Sequence, residues 1–234
     1  MNNISTLQDV QARENTLLRN VYLYLIGGLA LTAIVSYALS QSESLMRTIV
    51  LNPIAMLVVV IAQFAVVMVI SGRTESMKAS TAVLTFFLYA ILTGVTFSVI
   101  FIAYAPTAIT KAFISAASVF AGASIYGAFS KKNVRSWGRY LFMALFGLVI
   151  ASMLNMFFYS STFDFMISLV GVGLFTVLTI WDTNKIVAMN REFGGYISQA
   201  DYTKLGILGA LDLYLDFINI FLYLVRIFAH GNRD

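Results

Sequence analysis

Three aspartates lie inside stretches that are otherwise apolar enough to cross a membrane. Asp182 sits in VGVGLFTVLTIWDTNKI, and Asp212 and Asp216 sit in LGILGALDLYLDFINIFLYLVRIF. An ionisable side chain at the bilayer centre costs about 2.5–3.5 kcal/mol on insertion scales. This chain has only 11 acidic residues, and three of them occupy such places. Carboxylates so placed point to ion or proton handling. Asp182 precedes Arg191 by nine residues and Asp216 follows Lys204 by twelve, which is about 13 Å and about 18 Å along a helix. The two therefore fall at similar depth, and antiparallel helices joined by one loop are natural neighbours. Two adjacent carboxylates cannot both ionise cheaply, so they share a proton. Once that proton leaves, the pair is a doubly negative oxygen site suited to Ca²⁺. Spacing alone does not choose the cation.

The last apolar stretch must position this chemistry. Asp212, Asp216, Asn219, Tyr223 and Arg226 recur at spacings of four, three, four and three, which puts them on one helical stripe. In lipid, such a stripe must turn toward protein or water. With apolar residues on its other faces, this helix is expected at the centre of a bundle. A structural seam of helix–helix hydrogen bonds is the alternative reading. Asn219, Tyr223 and Arg226 fit it, with Arg226 snorkelling to the interface. Two carboxylates on adjacent turns fit it poorly.

Composition sets the class. Of 234 residues, 59% are hydrophobic and 11% charged, with mean hydropathy +0.84. Soluble domains carry about 25% charged residues. Seven apolar stretches run roughly over 20–40, 52–72, 80–104, 108–129, 138–159, 165–188 and 205–228. Each is long enough to cross about 30 Å of hydrocarbon and too long for a barrel strand. The expected fold is all-α, with one seven-helix transmembrane domain over 20–229. A polar segment over 1–19 precedes it, and a short tail over 230–234 follows. In the polar segment, Ser5 with Gln8 fits a capping box that opens an interfacial helix. Pro53 and Pro106 fall at connections, where they break no helix. Gly27, Gly28, Gly94, Gly122, Gly127, Gly171 and Gly173 are expected at close helix contacts.

Basic residues set the orientation. The side holding the N-terminus carries Arg13, Arg19, Arg73, Lys78, Lys131, Lys132, Arg135, Arg139, Lys185, Arg191 and Lys204. The other side carries Arg47, Lys111, Arg226 and Arg233. The N-terminus is therefore expected in the cytoplasm. The scattering of these residues over short loops argues for membrane topology, and not nucleic acid, as the reason for the pI near 9.3.

Several chemistries find no residues to carry them. Without cysteine there is no disulfide, thiolate metal site or cysteine nucleophile. The single histidine, His230, lies near the C-terminus and is expected at an interface. No P-loop and no dinucleotide-binding glycine motif on a strand-to-helix turn is present. An intramembrane aspartyl protease would need YD and GxGD contexts, which are absent. No enzymatic activity and no organic cofactor are expected. Asp164 reads as a helix N-terminal residue favoured by the dipole. Asn155 could line a path, but a helix–helix hydrogen bond is the favoured reading.

GALDLYLDFINIFLYLVRIF resembles the last-helix signature of the Bax inhibitor-1 (transmembrane Bax inhibitor motif) family, with LYLDFIN its most specific part. IWDTNKI resembles the segment ending the sixth helix of that family. LYAILTGVTFSVIFIAYAPTAITKAF, followed by Lys131 and Lys132, is similar to bacterial members. The resemblance covers about 20–228. It implies a seven-helix fold with the last helix central, in the bacterial cytoplasmic (inner) membrane. It also implies a pH-sensitive calcium leak, gated by a proton-sharing aspartate pair that matches Asp182 and Asp216. Asp212 lies outside that minimal pair and, with Asn219, is a candidate for the ion path. Arg73 matches by position an arginine that latches the pair. Gln63 stands where some members carry a glutamate near the ion path, which keeps an oxygen ligand but loses its charge. The partners implied are the lipid bilayer, Ca²⁺ and protons. A non-conducting pH sensor that binds another membrane protein is the alternative function.

Overall fold

The computed structural model describes residues 2–130, 135–193 and 198–230. Nine α-helices follow one another among these residues, and no strand is formed by them. They are α1 (Asn2–Ser40), α2 (Glu43–Leu45), α3 (Pro53–Arg73), α4 (Ala79–Phe97), α5 (Ile100–Ala103), α6 (Pro106–Phe129), α7 (Gly138–Phe158), α8 (Ser161–Phe193) and α9 (Gln199–His230). Seven segments are long and apolar enough to cross a membrane, and the seven apolar stretches of the sequence coincide with them to within a few residues. The third runs over Ala79–Ala103 and is interrupted at Ser98. There the Ser98 hydroxyl donates to the Val95 carbonyl at 2.6 Å, the side-chain competition that loosens a helical ladder. The last two segments, of 31 and 32 residues, exceed the roughly 20 that a bilayer needs.

Local signals explain the helix starts. Pro53 and Pro106 each open a helix, where their missing N–H removes no bond. Asn52 caps α3 by accepting from the backbone N–H groups of Ile54 and Ala55. The expected start at Ser5 is corrected: α1 begins upstream at Asn2 and runs unbroken into the first span. Nothing in the intervening residues is a strong helix breaker. The Ser5 and Gln8 side chains, the Lys131–Lys132 pair and Arg233 lie outside what the structure describes.

The chain forms two compact units. One comprises Met1–Ala103 with Ala188–Tyr214, and the other Tyr104–Val187 with Leu215–Asp234. In the first, α4 packs against both α1 and α3. A side chain at Gly94 would meet Val35 Cβ at 2.7 Å and the Thr32 carbonyl at 2.9 Å, so only glycine lets α1 and α4 approach this closely. The Thr32 hydroxyl donates to the Ala90 carbonyl at 2.9 Å and lies 2.6 Å from the Tyr214 hydroxyl. Tyr214 is fully buried, edge-on to Phe86 and Tyr89. Tyr202 donates to Asn190 at 3.0 Å.

In the second unit, α6 packs on α8 at Gly127, where a Cβ would come 2.6 Å from the Ile180 carbonyl. Asn184 of α8 donates to the carbonyls of Gly127 and Ser130 at 3.2 and 3.0 Å. That satisfies two carbonyls left open at the end of α6. Phe113 and Phe120 of α6 meet Phe217 of α9 edge-on. Gly122 and Gly173 depart from the expectation of close packing, since nothing lies within 4 Å of a Cβ built on either.

Candidate functional site: two buried aspartates on facing helices

Asp182 and Asp216 belong to the same unit and are both buried, at 6% and 4% exposure. The contacts between α8 and α9 set their register. Asp164 meets Arg226, Gly171 and Phe175 meet Tyr223, and Phe165 meets His230, so the helices run antiparallel. Asp182 lies seven residues beyond Phe175 on α8, and Asp216 lies seven residues back from Tyr223 on α9. Seven residues are about two helical turns and about 10 Å, and they return to nearly the same face. The Phe175–Tyr223 contact therefore carries down to Asp182 and Asp216 as positions at one level on facing sides.

The surroundings of Asp182 add a group that the sequence reading counted only for topology. Lys185 Nζ lies 3.8 Å from Asp182 Oδ1, one turn along α8, and 5.1 Å from the centre of the Trp181 ring. The ring and the carboxylate share this cation. The i, i+3 spacing in WDTNK was the available signal. Trp181 in turn packs on Gly138 of α7, where a Cβ would come within 2.7 Å of the ring.

On α9, the polar stripe is more open than its apolar neighbours. Asp212, Asn219, Tyr223 and Arg226 are partly accessible, whereas Leu213, Tyr214, Phe217, Ile220, Phe221 and Leu224 are buried. Only Asp216 on the stripe is buried. The Asn219 amide donates to the Leu215 carbonyl of its own helix at 2.8 Å, which leaves its oxygen directed away from that bond. Arg226 does not simply snorkel. It lies 3.6 Å from Asp164 and 5.5 Å from the centre of the Tyr223 ring.

Asp164 stands in the first turn of α8, as the dipole reading expects. Asn155 differs from expectation: its oxygen accepts from the Ser160 backbone N–H at 3.2 Å and shapes the turn after α7. Its place beside that tight turn, with Tyr159 at φ 50°, explains the local use of the amide. His230 rests against the Phe165 ring.

The remaining sequence candidates lie in the other unit. Arg73 is exposed in the last turn of α3. Asp212 is partly accessible on α9. Gln63 is tied to α4, its amide donating to Thr93 at 3.2 Å and to Thr96 at 3.4 Å. Among the described residues, no group of three or more histidine, aspartate or glutamate side chains is disposed to hold a metal ion. A divalent ion at this site would meet carboxylates in at most a pair.

The family model described as "Inhibitor of apoptosis-promoting Bax1" matches residues 14–233. The inner membrane protein YbhL of Escherichia coli K12 is 38% identical over 93% of this chain and 92% of its own length. A protein of Deinococcus radiodurans is 39% identical over 95% and 94% of the two chains. One of Borreliella burgdorferi is 37% identical over 94% of each. Signature motifs, seven potential spans and near full-length likeness agree, and the chain is a membrane protein of the Bax inhibitor-1 family.

Proposed function

We propose that this protein is a pH-sensitive cation leak of the bacterial inner membrane, conducting Ca²⁺ and gated by Asp182 and Asp216. The observation that carries the reading is the α8–α9 register, which sets two buried carboxylates at one level on facing helices. Two carboxylates so placed can share one proton, and the second charge appears only when that proton leaves. The partly accessible stripe of Asp212, Asn219 and Tyr223 supplies oxygen atoms along α9 on either side of Asp216. Ca²⁺ takes six to eight oxygen ligands, so two carboxylates suit passage better than tight retention. The excess of basic residues on the N-terminal side supports a cytoplasmic N-terminus.

The test is Ca²⁺ flux into liposomes holding only the purified protein, measured between about pH 5 and 8. Wild-type flux should depend on pH. Asp182→Asn and Asp216→Asn should each remove most of that dependence, because a coupled pair no longer exists. A wild-type profile retained by either variant would exclude the pair as the sensor. Absence of wild-type flux at every pH would favour the non-conducting regulator. Arg73 enters as the latch that the family resemblance implies. Arg73→Ala should raise leak at neutral pH, and its effect should not add to that of Asp182→Asn.

A further inference from the structure

The second unit carries a notch of about 530 Å³ where α7 turns into α8, far along α9 from Asp216. Its polar end holds Asp164 and Arg226, with the Tyr223 ring under Arg226, and Val149, Met153 and Met156 line it along α7. These last three side chains are exposed on a helix long enough to cross a membrane, so the notch opens onto the lipid-facing side of α7. Phe157, Phe158 and Tyr159 are exposed beside it. An exposed tyrosine at a helix end, here Tyr159, marks the level of lipid headgroups.

The two charges form a loose ion pair that leaves hydrogen-bonding capacity on both. Arg226 Nη1 lies 3.6 Å from Asp164 Oδ1, beyond the 2.7–3.2 Å of a hydrogen bond. The guanidinium otherwise faces the Tyr223 ring. That ring is fixed by Phe175 and by Gly171, where a Cβ would come within 2.6 Å of it. A planar donor fork and a carboxylate thus stand side by side, partly exposed, above an apolar trough.

We propose that this notch binds one zwitterionic phospholipid bearing a primary ammonium, with its phosphate on Arg226, its ammonium on Asp164 and an acyl chain along Val149, Met153 and Met156. Arginine matches a phosphate bidentately, and a carboxylate accepts directly from a primary ammonium. A quaternary ammonium has no N–H to give. An anionic headgroup without an ammonium leaves Asp164 facing a like charge.

The test is native mass spectrometry of the detergent-purified, full-length protein, delipidated and offered equal amounts of phosphatidylethanolamine, phosphatidylglycerol and phosphatidylcholine. Wild type should retain one phosphatidylethanolamine, about tenfold more than either competitor, as expected for one extra charge-assisted hydrogen bond. Arg226→Gln should lower that retention by about tenfold. Asp164→Asn should remove the preference over phosphatidylglycerol. Met153→Trp, which fills the trough and leaves both charges in place, should expel the lipid. Glycerophosphoethanolamine, which has the headgroup and no chains, should compete weakly. Equal retention of the three lipids by wild type would overturn the proposal without any variant. Wild-type retention by Met153→Trp, or competition by the chainless headgroup as strong as by the lipid, would overturn the membrane-lipid assignment.

Discussion

Helices α3 and α9 both qualify as membrane spans, yet their placements are opposite. α3 is the most apolar span, and 6% of its crossing stretch is buried. α9 is less apolar, carries Asp212, Asp216 and Arg226 inside its apolar stretch, and is 67% buried. In water the most apolar helix would be innermost. In lipid that drive vanishes, because acyl chains solvate Leu, Ile and Phe as well as protein does. What must be kept from lipid is the polar stripe, which can face protein or a water-filled path. Leu57, Ile61, Phe64 and Met68 of α3, at helical spacing, are therefore left exposed, while Leu213, Tyr214, Phe217 and Ile220 of α9 are buried.

The largest test of this contrast is truncation at equivalent chemistry. Ile220→Ala on α9 removes a fully buried side chain and should lower stability by about 1–3 kcal/mol. That range is placed below the soluble-core value because the transfer part of the cost shrinks in a detergent or lipid environment, while lost packing contacts remain. Phe64→Ala on α3 removes a larger side chain and should change stability by less than about 0.5 kcal/mol, since that ring is exposed. Denaturant unfolding of both variants in one detergent measures the difference. Similar losses in both would mean that α3 is covered, and the contrast would fail.

Much of this arrangement was legible in the sequence because it rests on signals that lipid makes strong. Seven stretches of span length stood out, and the spacing from Asp212 to Arg226 marked the polar stripe of α9. The depth argument for Asp182 and Asp216 needed only helix rise and two charged ends. What stayed hidden depends on side-chain direction across helices. Nothing in the spacing pairs Asp164 with Arg226, which are 62 positions apart. Gly127 and Gly171 could not be told from Gly122 and Gly173 by sequence, since each pair has the same residue type on one apolar helix. Asn155 sits in a span, but the left-handed residue Tyr159 turns its amide to local use.

A smaller effect tests how α9 is fastened in the first unit. Tyr214 is enclosed by Phe86 and Tyr89, and its hydroxyl has Thr32 as its partner at 2.6 Å. Tyr214→Phe keeps the ring contacts and removes the hydroxyl's bonds to Thr32 and Thr93, with a cost of about 1–2 kcal/mol. Thr32 retains its bond to the Ala90 carbonyl, so no donor on that side is orphaned. A loss above roughly 3 kcal/mol in the same unfolding assay would mean that the hydroxyl holds more than these two contacts.

The smallest expected effect falls on α3, at the one place where that helix shows a polar side chain within its apolar run. Gln63 donates to Thr93 and Thr96 of α4 at 3.2 and 3.4 Å, and both bonds are at the long end of the range. Both hydroxyls also donate within their own helix, Thr93 to the Tyr89 carbonyl and Thr96 to the Thr93 carbonyl, so neither depends on Gln63. Interhelical hydrogen bonds in membranes average about 0.6 kcal/mol. Gln63→Leu should therefore cost about that much and leave α3 otherwise unchanged, since the residues around it in the span are apolar. The same variant separates a fastening role from the ion-path role that the family resemblance implies. As a fastener alone, Gln63→Leu lowers stability slightly and leaves Ca²⁺ flux at its wild-type rate in the liposome assay. As an ion ligand, Gln63→Leu lowers flux several-fold, and Gln63→Glu, which restores a full negative charge at the same length, raises flux above wild type.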